Sequence, residues 1–386
     1  MTRPVAKPAP RVAFLVETSN AYARALLRGM VGYIREHRPW SIYLAEHGRG
    51  DRPPAWLKGW DGDGIIARIE NEDIARALRN VAVPMVDVSA ARLIPDLPWF
   101  ETDDGAIARI VFDHLSERGF RHFAFCGDPR FNWSVWRGGH FVRTVTEAGY
   151  GCATYKPQRL AADDEQVVSD IGAWLETLPK PIGVMACYDL RGQQILDACR
   201  RRGIAVPDEV AVVGVDNDEL LCALSDPPLS SVIPNAHKTG YDAAALLDRM
   251  MRGERFPPDS HFIPPLGVAA RQSSDVLAIE DRQTVAAVRY IRAHAAEGIA
   301  AKDVLKLAPG SRRQFEAKFK KLIGRTPHEE VTRVRINRVK ELLGGTDLTL
   351  EAIAERTGFK HAEYLSVAFK RETGISPGRF RVQSGG

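Results

Sequence analysis

A nine-residue phrase occurs twice near the end of this 386-residue chain and restricts what that part of the chain can fold into. The first copy, FKKLIGRTP, begins at Phe319, and the second, FKRETGISP, begins at Phe369. Both copies place Phe before two basic residues, Gly at the sixth place and Pro at the ninth. Two copies are too few for a solenoid, which stacks several units, so they indicate one small module that is present twice.

The residues around the two copies predict helices and no strand. Apolar positions recur with a helical period, and short segments containing Gly, Ser or Pro separate them. The predicted helices are 282–295, 302–308, 311–323, 328–343, 349–357, 361–373 and 377–382. We therefore expect a compact all-α domain at 285–384, joined to the preceding residues by a linker at 276–284.

Each copy of the phrase ends a pair of helices that are joined by a tight turn. In the second pair, Ala354 has the small side chain expected where two helices cross, and Gly358 permits the sharp turn. Phe369 belongs to the apolar stripe of the second helix, as Phe319 does in the first pair. This arrangement is typical of a helix-turn-helix unit, so the domain is predicted to contain two in tandem.

Positive charge is concentrated in the same part of the chain. Residues 281–386 contain 21 Lys and Arg against 12 Asp and Glu, a net charge of +9. The remainder has 32 against 37, or −5, so the overall charge of +4 hides the asymmetry. The predicted helix at 328–343 is expected to leave basic residues, among them Arg335, on its surface. A basic domain with two helix-turn-helix units predicts duplex DNA as its partner.

Residues 11–270 follow a different pattern, in which short apolar runs such as RVAFLV and VAVVGVD alternate with amphipathic helical segments. Runs of this kind predict parallel strands covered by helices on both faces of a sheet. Polar residues stand at or just after the ends of several runs, at 17–19, 87–89, 127–128, 189 and 216–218. Because the carboxyl ends of parallel strands form the ligand-binding edge of such a sheet, a polar binding site is predicted there.

Composition excludes several classes of site. The five cysteines form no CxxC pair, so neither a disulfide framework nor a zinc site is expected, and we predict buried thiols. No cofactor motif is present, and none of the segments resembles a signal peptide or an apolar membrane span. The sequence therefore predicts a cytoplasmic protein without a cofactor or metal and without membrane contact.

Three other functions compete with ligand-gated DNA binding. A glycosidase would need two facing carboxylates, and the pairs Asp216/Asp218 and Asp103/Asp104 are the candidates, but neither shows the required flanking geometry. A DNA-bound regulator whose large domain only dimerises would not need so many acidic strand ends. An exported receptor would not need the basic domain. We expect no enzymatic activity.

The segment SRRQFEAKFKKLIGRTPHEEVTRVRINRVKELL resembles the DNA-binding domain of the AraC family, and the resemblance covers residues 285–382. It implies two recognition helices in successive segments of the major groove. The residues expected to face bases are Arg312, Arg313, Glu316, His361, Glu363 and Ser366. The residues expected to bind phosphates are Lys318, Lys320, Lys360 and Lys370. Ser311 is expected to cap the first recognition helix at the DNA.

The sequence departs from the AraC pattern at two points. Pro309-Gly310 stands in the first turn, where a Gly followed by an apolar residue is usual. Val367 stands in the second recognition helix where an Arg is common. Both departures affect the base contacts that the resemblance implies.

The segments GVDND, PPLSSV and GYDAAALL resemble the ligand-binding domain of LacI-type regulators, which has the periplasmic-binding-protein fold. This implies two parallel-sheet α/β lobes that the chain crosses between near 102–105, 232–236 and 266–269, with a sugar bound between them. The sugar-binding residues expected from the resemblance and from hydrogen-bonding chemistry are Ser19, Asn20, Tyr22, Asp87, Trp136, Arg137, Asp189 and Asp216. Trp133 and Trp136 either stack on the sugar or pack the loop.

Together with the junction GVAARQSSDVLAIED, these two domains make the whole chain resemble the family of xylose-operon regulators. The resemblance implies a homodimer that activates pentose-utilisation genes through RNA polymerase when a sugar, D-xylose, closes the lobes. The alternative is a DNA-bound regulator whose large domain only dimerises or senses a ligand other than a pentose.

Overall fold

The computed structural model describes residues 8–46, 48, 51–157, 163–275, 281–306, 311–323, 325–346 and 348–384. The chain divides into two compact units, Met1–Val276 and Leu277–Gly386. Residues 276–280 of the expected linker and the unusual turn at Pro309-Gly310 lie outside the described residues.

The first unit alternates strands and helices along most of its length. Its strands are β1 (Arg11–Leu15), β2 (Ser41–Leu44), β3 (Gly64–Ala67), β4 (Met85–Asp87), β5 (Trp99–Thr102), β6 (His122–Cys126), β7 (Cys152–Thr154), β8 (Ile182–Ala186), β9 (Val210–Val215), β10 (Ser230–Ile233), β11 (Ser260–Ile263) and β12 (Gly267–Ala269). Its α-helices are α1 (Ala21–Glu36), α2 (Glu72–Leu78), α3 (Asp104–Ser116), α4 (Asn132–Glu147), α5 (Asp164–Glu176), α6 (Asp189–Arg202), α7 (Glu219–Leu224) and α8 (Ala236–Met251). One 3-10 turn lies at Ala55–Leu57.

These elements form two lobes, each built on a six-stranded sheet. The first sheet has the order β11-β5-β4-β3-β1-β2 and is parallel throughout. The second has the order β12-β10-β9-β8-β6-β7, and its edge strand β12 is antiparallel to β10. The chain passes between the lobes from β5 to α3, from β10 to α8, and from β11 to β12. The expected two-lobed α/β fold is confirmed.

The apolar runs that predict strands in the sequence all form them. RVAFLV, SIYLAE, DGIIARI, VPMVDVS, HFAFCG, IGVMACY and VAVVGVD contain β1, β2, β3, β4, β6, β8 and β9. One differs from expectation, because β2 is an edge strand with exposed side chains at Ile42, Tyr43 and Leu44 instead of a strand covered on both faces. β5, β7, β10, β11 and β12 had not been predicted. Three of them, β7, β11 and β12, are only partly buried, so they lack the apolar run of a strand covered on both faces.

Helices α1 and α8 cross at unusually close range on one face of the first sheet. A Cβ atom at Gly29 would lie 1.9 Å from the carbonyl oxygen of His237, and one at Gly240 would lie 2.0 Å from that of Leu26. The two glycines therefore let the helix backbones touch. This contact sets the position of α1, whose first turn follows the carboxyl end of β1.

The second unit is helical throughout its described residues. Its helices are α9 (Arg282–His294), α10 (Ala301–Leu305), α11 (Arg312–Ile323), α12 (Pro327–Gly345), α13 (Leu350–Arg356), α14 (Ala362–Thr373) and α15 (Pro377–Ser384), with a 3-10 turn at Ala295–Glu297. These bounds agree closely with the seven predicted helices, although α9 begins within the residues expected to form the linker. The predicted all-α tandem helix-turn-helix domain is confirmed.

The doubled phrase has the same structural role at most of its places. Phe319 and Phe369 are fully buried in α11 and α14, the second helix of each pair. Pro327 and Pro377 are the first residues of the helices that follow, α12 and α15. Proline suits this place because its fixed φ fits a helix and its missing N–H has no intrahelical acceptor there. The phrase therefore ends one helix and starts the next in each copy.

Each half of the second unit has its own apolar core, and α12 contributes to both. Val331 packs with Phe319 in the first core, whereas Ile336 and Val339 pack with Phe369 in the second. The long helix is therefore the shared wall that joins the two helix-turn-helix units.

All five cysteines are free thiols, and four of them are buried as predicted, whereas Cys152 is half-buried. Burial raises the pKa of the Cys199 thiol to about 12, so this group stays protonated at neutral pH. Within the described residues, no cluster of His, Cys, Asp and Glu side chains could hold a metal ion, and no helix is long and apolar enough to span a membrane.

The helix crossing yields a stability prediction. Gly29→Ala should destabilise the first lobe by about 1–3 kcal/mol or more, because its methyl group would overlap the backbone of α8. Gly32→Ala, one turn later in α1, is the matched control, since its Cβ would lie 3.7 Å from the nearest atom. It should be neutral or stabilise the helix by up to about 1 kcal/mol. Calorimetric melting of the two full-length variants checks this, and equal melting temperatures would refute the close crossing.

Candidate functional site

A polar cavity lies between the two lobes at the carboxyl edges of their sheets. The side chains and backbone that line it belong to Tyr22, Arg68, Val88, Ala90, Glu101, Thr102, Asp104, Trp133, Arg137 and Asp216. Its empty space, including the open solvent at its mouth, is about 530 Å³. Both lobes contribute, so a ligand in this cavity would touch both at once.

Arg137 connects the first crossover to the second sheet. Its Nε donates to Asp104 at 2.7 Å, and its Nη1 donates to the carbonyl oxygen of Cys187, just after β8, at 2.5 Å. The side chain is 8% exposed. Burial lowers the pKa of the Arg137 guanidinium, but the nearby carboxylates of Asp104 and Asp216 outweigh this, and the net shift is upward. The guanidinium is therefore a fixed cation in the cavity wall.

Arg68 is the corresponding cation of the first lobe. Its guanidinium pairs with Glu17 at 2.8 Å and with Glu70, and it stacks on the ring of Tyr22 with a distance of 5.3 Å to the ring centroid. Burial lowers the pKa of Arg68, and Glu17 and Glu70 raise it by more. Its Nε is buried and has no acceptor among the described residues, so one donor remains beside the cavity.

Tyr22 joins the first helix to the first crossover. Its hydroxyl lies 3.2 Å from the hydroxyl of Thr102, the last residue of β5. Asn20 caps α1 by accepting a hydrogen bond from the N–H of Ala23 at 2.8 Å, which fixes the start of the helix. The cap thereby directs the Tyr22 side chain towards the cavity.

Asp216 reaches the cavity from a strained turn after β9. Its φ of 113° lies in a region that residues other than glycine rarely adopt. Asp189 supports this turn, because its carboxylate accepts from the N–H of Asp218 at 2.7 Å and from the hydroxyl of Ser231 at 2.5 Å. Burial raises the pKa of Asp189, and the charge of Asp216 raises it further. Asp189 thus positions Asp216 from behind the cavity wall.

Asp87 has a similar supporting role in the first lobe. One of its oxygens accepts from the N–H of Ser89 at 2.8 Å and from that of Ile69 at 3.3 Å. These bonds tie together the loops that follow β3 and β4. The other oxygen is buried with no partner within the described part of the chain, and burial raises the pKa of Asp87 to about 7.

The structure divides the residues expected to bind sugar into two groups. Tyr22, Arg137 and Asp216 line the cavity, as does Trp133. The others lie outside its lining, namely Ser19, Asn20, Asp87, Trp136 and Asp189. Ser19 lies in the bend before α1, and Trp136 stacks on a guanidinium of the other lobe.

Sequence reasoning missed several lining residues. Arg68 follows β3 directly, so the rule that polar residues end strands could have found it. Glu101 and Thr102 lie on β5, which had no recognisable strand pattern. Asp104 was considered as half of a catalytic pair, although its place at the expected crossover was the better signal.

The carboxylates of the two proposed catalytic pairs do not face each other. Asp103 caps α3 by accepting from the N–H of Ala106 at 2.8 Å, while Asp104 pairs with Arg137. Asp218 likewise caps α7, whereas Asp216 faces the cavity. One member of each pair therefore has a structural role, and the arrangement suits hydrogen bonding to a bound molecule.

The cavity suits a neutral polyol. Its two guanidiniums are already paired with carboxylates, so an anionic ligand would compete with those carboxylates for them. Hydroxyl groups both donate and accept hydrogen bonds, and they can satisfy carboxylates and guanidiniums in turn. The Trp133 ring lies beside Arg137, with 5.2 Å from the guanidinium carbon to the ring centroid, and offers an apolar surface.

The second unit presents two helices with basic, exposed faces. On α11, Arg312, Arg313, Glu316 and Lys320 are exposed, as is Ser311 before it. Phe315 and Phe319 occupy the opposite, buried face. Lys318 is also exposed but pairs with Asp281, the residue that caps α9.

The second recognition helix, α14, has a more apolar face. Lys360, His361, Glu363 and Lys370 are exposed, and Ser366 is half-buried. Tyr364 and Val367, which were not assigned to DNA contact, are 50% and 66% exposed beside them. Exposed apolar side chains on a recognition helix can contact thymine methyl groups. Basic residues alone therefore do not define this face, because the exposed apolar residues Tyr364 and Val367 also belong to it.

One expected surface residue has another role. Arg335 on α12 is half-buried, and it donates to the carbonyl oxygens of Ala295 at 2.8 Å and Ile299 at 2.7 Å. Its guanidinium also lies 5.7 Å from the ring centroid of Phe359. The expectation that Arg335 lies free on the surface was wrong, because the residue donates to carbonyls in and just after the 3-10 turn that follows α9.

Comparisons with known proteins match both units. Residues 11–104 match the model of the XylR N-terminal domain, residues 112–274 that of a periplasmic binding protein-like domain, and residues 307–383 that of a helix-turn-helix domain. The xylose operon regulatory protein of Escherichia coli K12 is 32% identical over 96% of each chain. The protein of that name from Haemophilus influenzae is 30% identical over 96% of this chain and 98% of its own.

Solved structures show the same similarity. The structure of the xylose-binding transcription activator xylR covers 98% of this chain and 99% of its own, with a TM-score of 0.76 and 31% identity. The transcriptional regulator CelR bound to cellobiose shares the fold over 68% of this chain, with a TM-score of 0.57 and 22% identity.

The raised pKa of Asp87 predicts how stability depends on pH. The folded protein holds this proton up to about pH 7, whereas the unfolded chain loses it near pH 4. Stability should therefore fall as pH rises from about 4 to 7, and Asp87→Asn should reduce that fall. Melting temperatures of both proteins across this range check it. Asp61→Asn, an exposed aspartate whose pKa Arg11 lowers, is the control. Parallel curves for wild type and Asp87→Asn would contradict the assignment.

Proposed function

This chain belongs to the family of xylose operon regulatory proteins, and we propose that it is a transcription activator of pentose-utilisation genes with D-xylose as its effector. The observation that supports this best is the polar cavity between two lobes, in a chain that also contains two helix-turn-helix units. Because its proposed target is DNA, the protein would act in the cytoplasm.

The sugar would be held by groups of opposite hydrogen-bonding character. Asp216 and Asp104 accept from ring hydroxyls, while Arg137 and Arg68 donate to their oxygens. Trp133 would cover an apolar face of the sugar ring. Supporting residues such as Asp189 would act on affinity indirectly, through the turn that carries Asp216.

Binding between the lobes supplies the switch. A sugar can shift the protein towards a closed arrangement only by contacting that arrangement better, and a ligand held by both lobes does so. We propose that closure favours the spacing at which a homodimer places its helix-turn-helix pairs on two operator half-sites. From there the dimer would recruit RNA polymerase.

The cavity disfavours the alternative of a large domain that only dimerises. The turn that carries Asp216 is strained, and Arg68 has a buried Nε without an acceptor among the described residues. Dimerisation requires neither feature, whereas a bound ligand can use both. A thermal-shift screen against hexoses and pentoses separates these cases, since only a bound sugar raises the melting temperature.

Asp216→Ala should reduce D-xylose affinity about 10- to 100-fold, because it leaves ligand hydroxyls without an acceptor. Binding to DNA without sugar should be unchanged, since Asp216 lies in the first unit. Asp197→Ala, a surface aspartate of the same lobe, is the control and should bind as wild type does. Calorimetric titration measures the affinities. Unchanged affinity in Asp216→Ala would remove this residue from the site, and a wild type that binds no pentose at millimolar concentration would overturn the choice of xylose.

Arg313→Ala should lower affinity for the operator by about 1–3 kcal/mol while affecting random DNA little, because it is proposed to read bases. Lys320→Ala, on the same exposed helix, should weaken both kinds of DNA nearly equally, as loss of a phosphate contact does. Fluorescence anisotropy with operator and scrambled duplexes at several salt concentrations measures this. Equal losses on both duplexes for Arg313→Ala would reassign it to the phosphate backbone.

A further inference from the structure

A guanidinium of the first lobe is surrounded by aromatic rings from both lobes. Arg92, in the loop between β4 and β5, lies 5.1 Å from the ring centroid of Trp99 and 5.8 Å from that of Phe262. It also lies 4.9 Å from the ring centroid of Trp136, which belongs to α4 of the second lobe. The Arg92–Trp136 contact therefore spans the cleft.

The first-lobe part of this cluster is a single face of two neighbouring strands. Trp99 and Glu101 are two residues apart on β5, so their side chains share a face. Phe262 on β11 is the register partner of Glu101. Arg92 lies against this face and pairs with Glu101 through one carboxylate oxygen.

Glu101 connects the cluster to the cavity. The residue lines the cavity and is 7% exposed. While one oxygen pairs with Arg92, the other is buried and meets no donor among the residues that the structure describes. A buried carboxylate oxygen in a cavity wall is an acceptor that a ligand hydroxyl can satisfy.

Trp136, the partner of Arg92 in the second lobe, lies on α4, the helix that also carries the cavity residue Arg137. Trp136 and Arg137 are neighbours in the first turns of α4, and Trp133 is one turn earlier. Trp133 and Arg137 line the cavity, whereas Trp136, 37% exposed, meets Arg92 at its rim. Movement of α4 towards a bound sugar would therefore move Trp136 towards Arg92.

We propose that Arg92 is a latch between the lobes, which positions Glu101 for a sugar hydroxyl and stacks on Trp136 when the lobes close. Arg92 is a positioning residue, because it acts on the sugar through Glu101 and on closure through Trp136. Its φ of 54° places the side chain over the rim at some conformational cost. The proposal rests on the proposed function, since it needs a sugar in the cavity.

A double-mutant cycle in the full-length protein tests the latch. Trp136→Leu keeps an apolar side chain and removes the π face, and Arg92→Lys keeps the charge and removes the planar group. Each should weaken D-xylose affinity about 2- to 5-fold, as expected for a cation–π contact between partly exposed side chains. The double variant should lose little more than either single variant, because both remove the same contact.

Val135→Ala and Arg76→Lys are the matched controls. Val135 is an exposed neighbour of Trp136 on α4, and Arg76 is an exposed, carboxylate-paired arginine of the first lobe. Both should bind D-xylose as wild type does. Melting temperatures without sugar should be nearly equal for all variants, whereas a merely structural role would lower them along with the affinity.

The outcomes separate this inference from the function on which it rests. Additive losses, wild-type affinity in Arg92→Lys, or parallel losses in sugar-free stability would overturn the latch and leave sugar binding intact. A wild-type protein that binds neither D-xylose nor another monosaccharide of the panel would overturn the proposed function and the latch together.

Discussion

The first unit depends on how its buried guanidiniums are paired. Removing a large cation from water costs several kcal/mol, and only well-placed acceptors offset that cost. Arg137 finds them in Asp104, at the start of α3, and in the carbonyl of Cys187, after β8. Because these acceptors belong to separate elements, the bonds fix the first crossover against the second sheet. Arg68 connects the ends of β1 and β3 in the same way through Glu17 and Glu70.

The need to pair buried polar groups also gives the acidic residues at the strand ends two different roles. Asp87 and Asp189 are almost fully buried, and their oxygens accept from backbone N–H groups of neighbouring loops. Their effect is to hold the loops that carry Val88 and Asp216 at the cavity. Asp216 and Asp104 remain at its surface, where a ligand can meet them. A polar cavity of this kind needs more carboxylates than those that touch the ligand, because the loops around it must also be fixed.

In the helical unit, one place joins the second helix-turn-helix pair to the end of α9. The turn glycine Gly358 has a φ of 75°, and a Cβ atom there would lie 2.4 Å from the carbonyl oxygen of Ala295. Arg335 donates to that same carbonyl from α12. The turn of the second pair therefore packs directly on the 3-10 turn that follows α9, and glycine is needed both for the turn and for this close approach.

Local patterns in the sequence determined the elements and their order. Short apolar runs marked seven of the strands, apolar periodicity marked the helices of the second unit, and the repeated Phe, Gly and Pro marked where those helices end and begin. The α/β class of the first unit and the tandem helix-turn-helix unit could be predicted from these patterns, together with the edge at which ligands bind. The division into two lobes was implied by the resemblance to LacI-type regulators.

Only the tertiary structure decided which side chains meet. Glu101 and Thr102 line the cavity because the short strand β5 leads into the crossover. Asp87 and Asp189 lie outside its lining, because each carboxylate accepts a hydrogen bond from an N–H group of a neighbouring loop. Arg335 reads as a surface residue in a helical pattern, yet it is held by carbonyls 36 and 40 positions earlier in the chain. Apolar periodicity indicates which face of a helix or strand is buried, but it does not indicate which residues cover that face. The partner of a polar group is set by distant segments, which only the folded chain brings together.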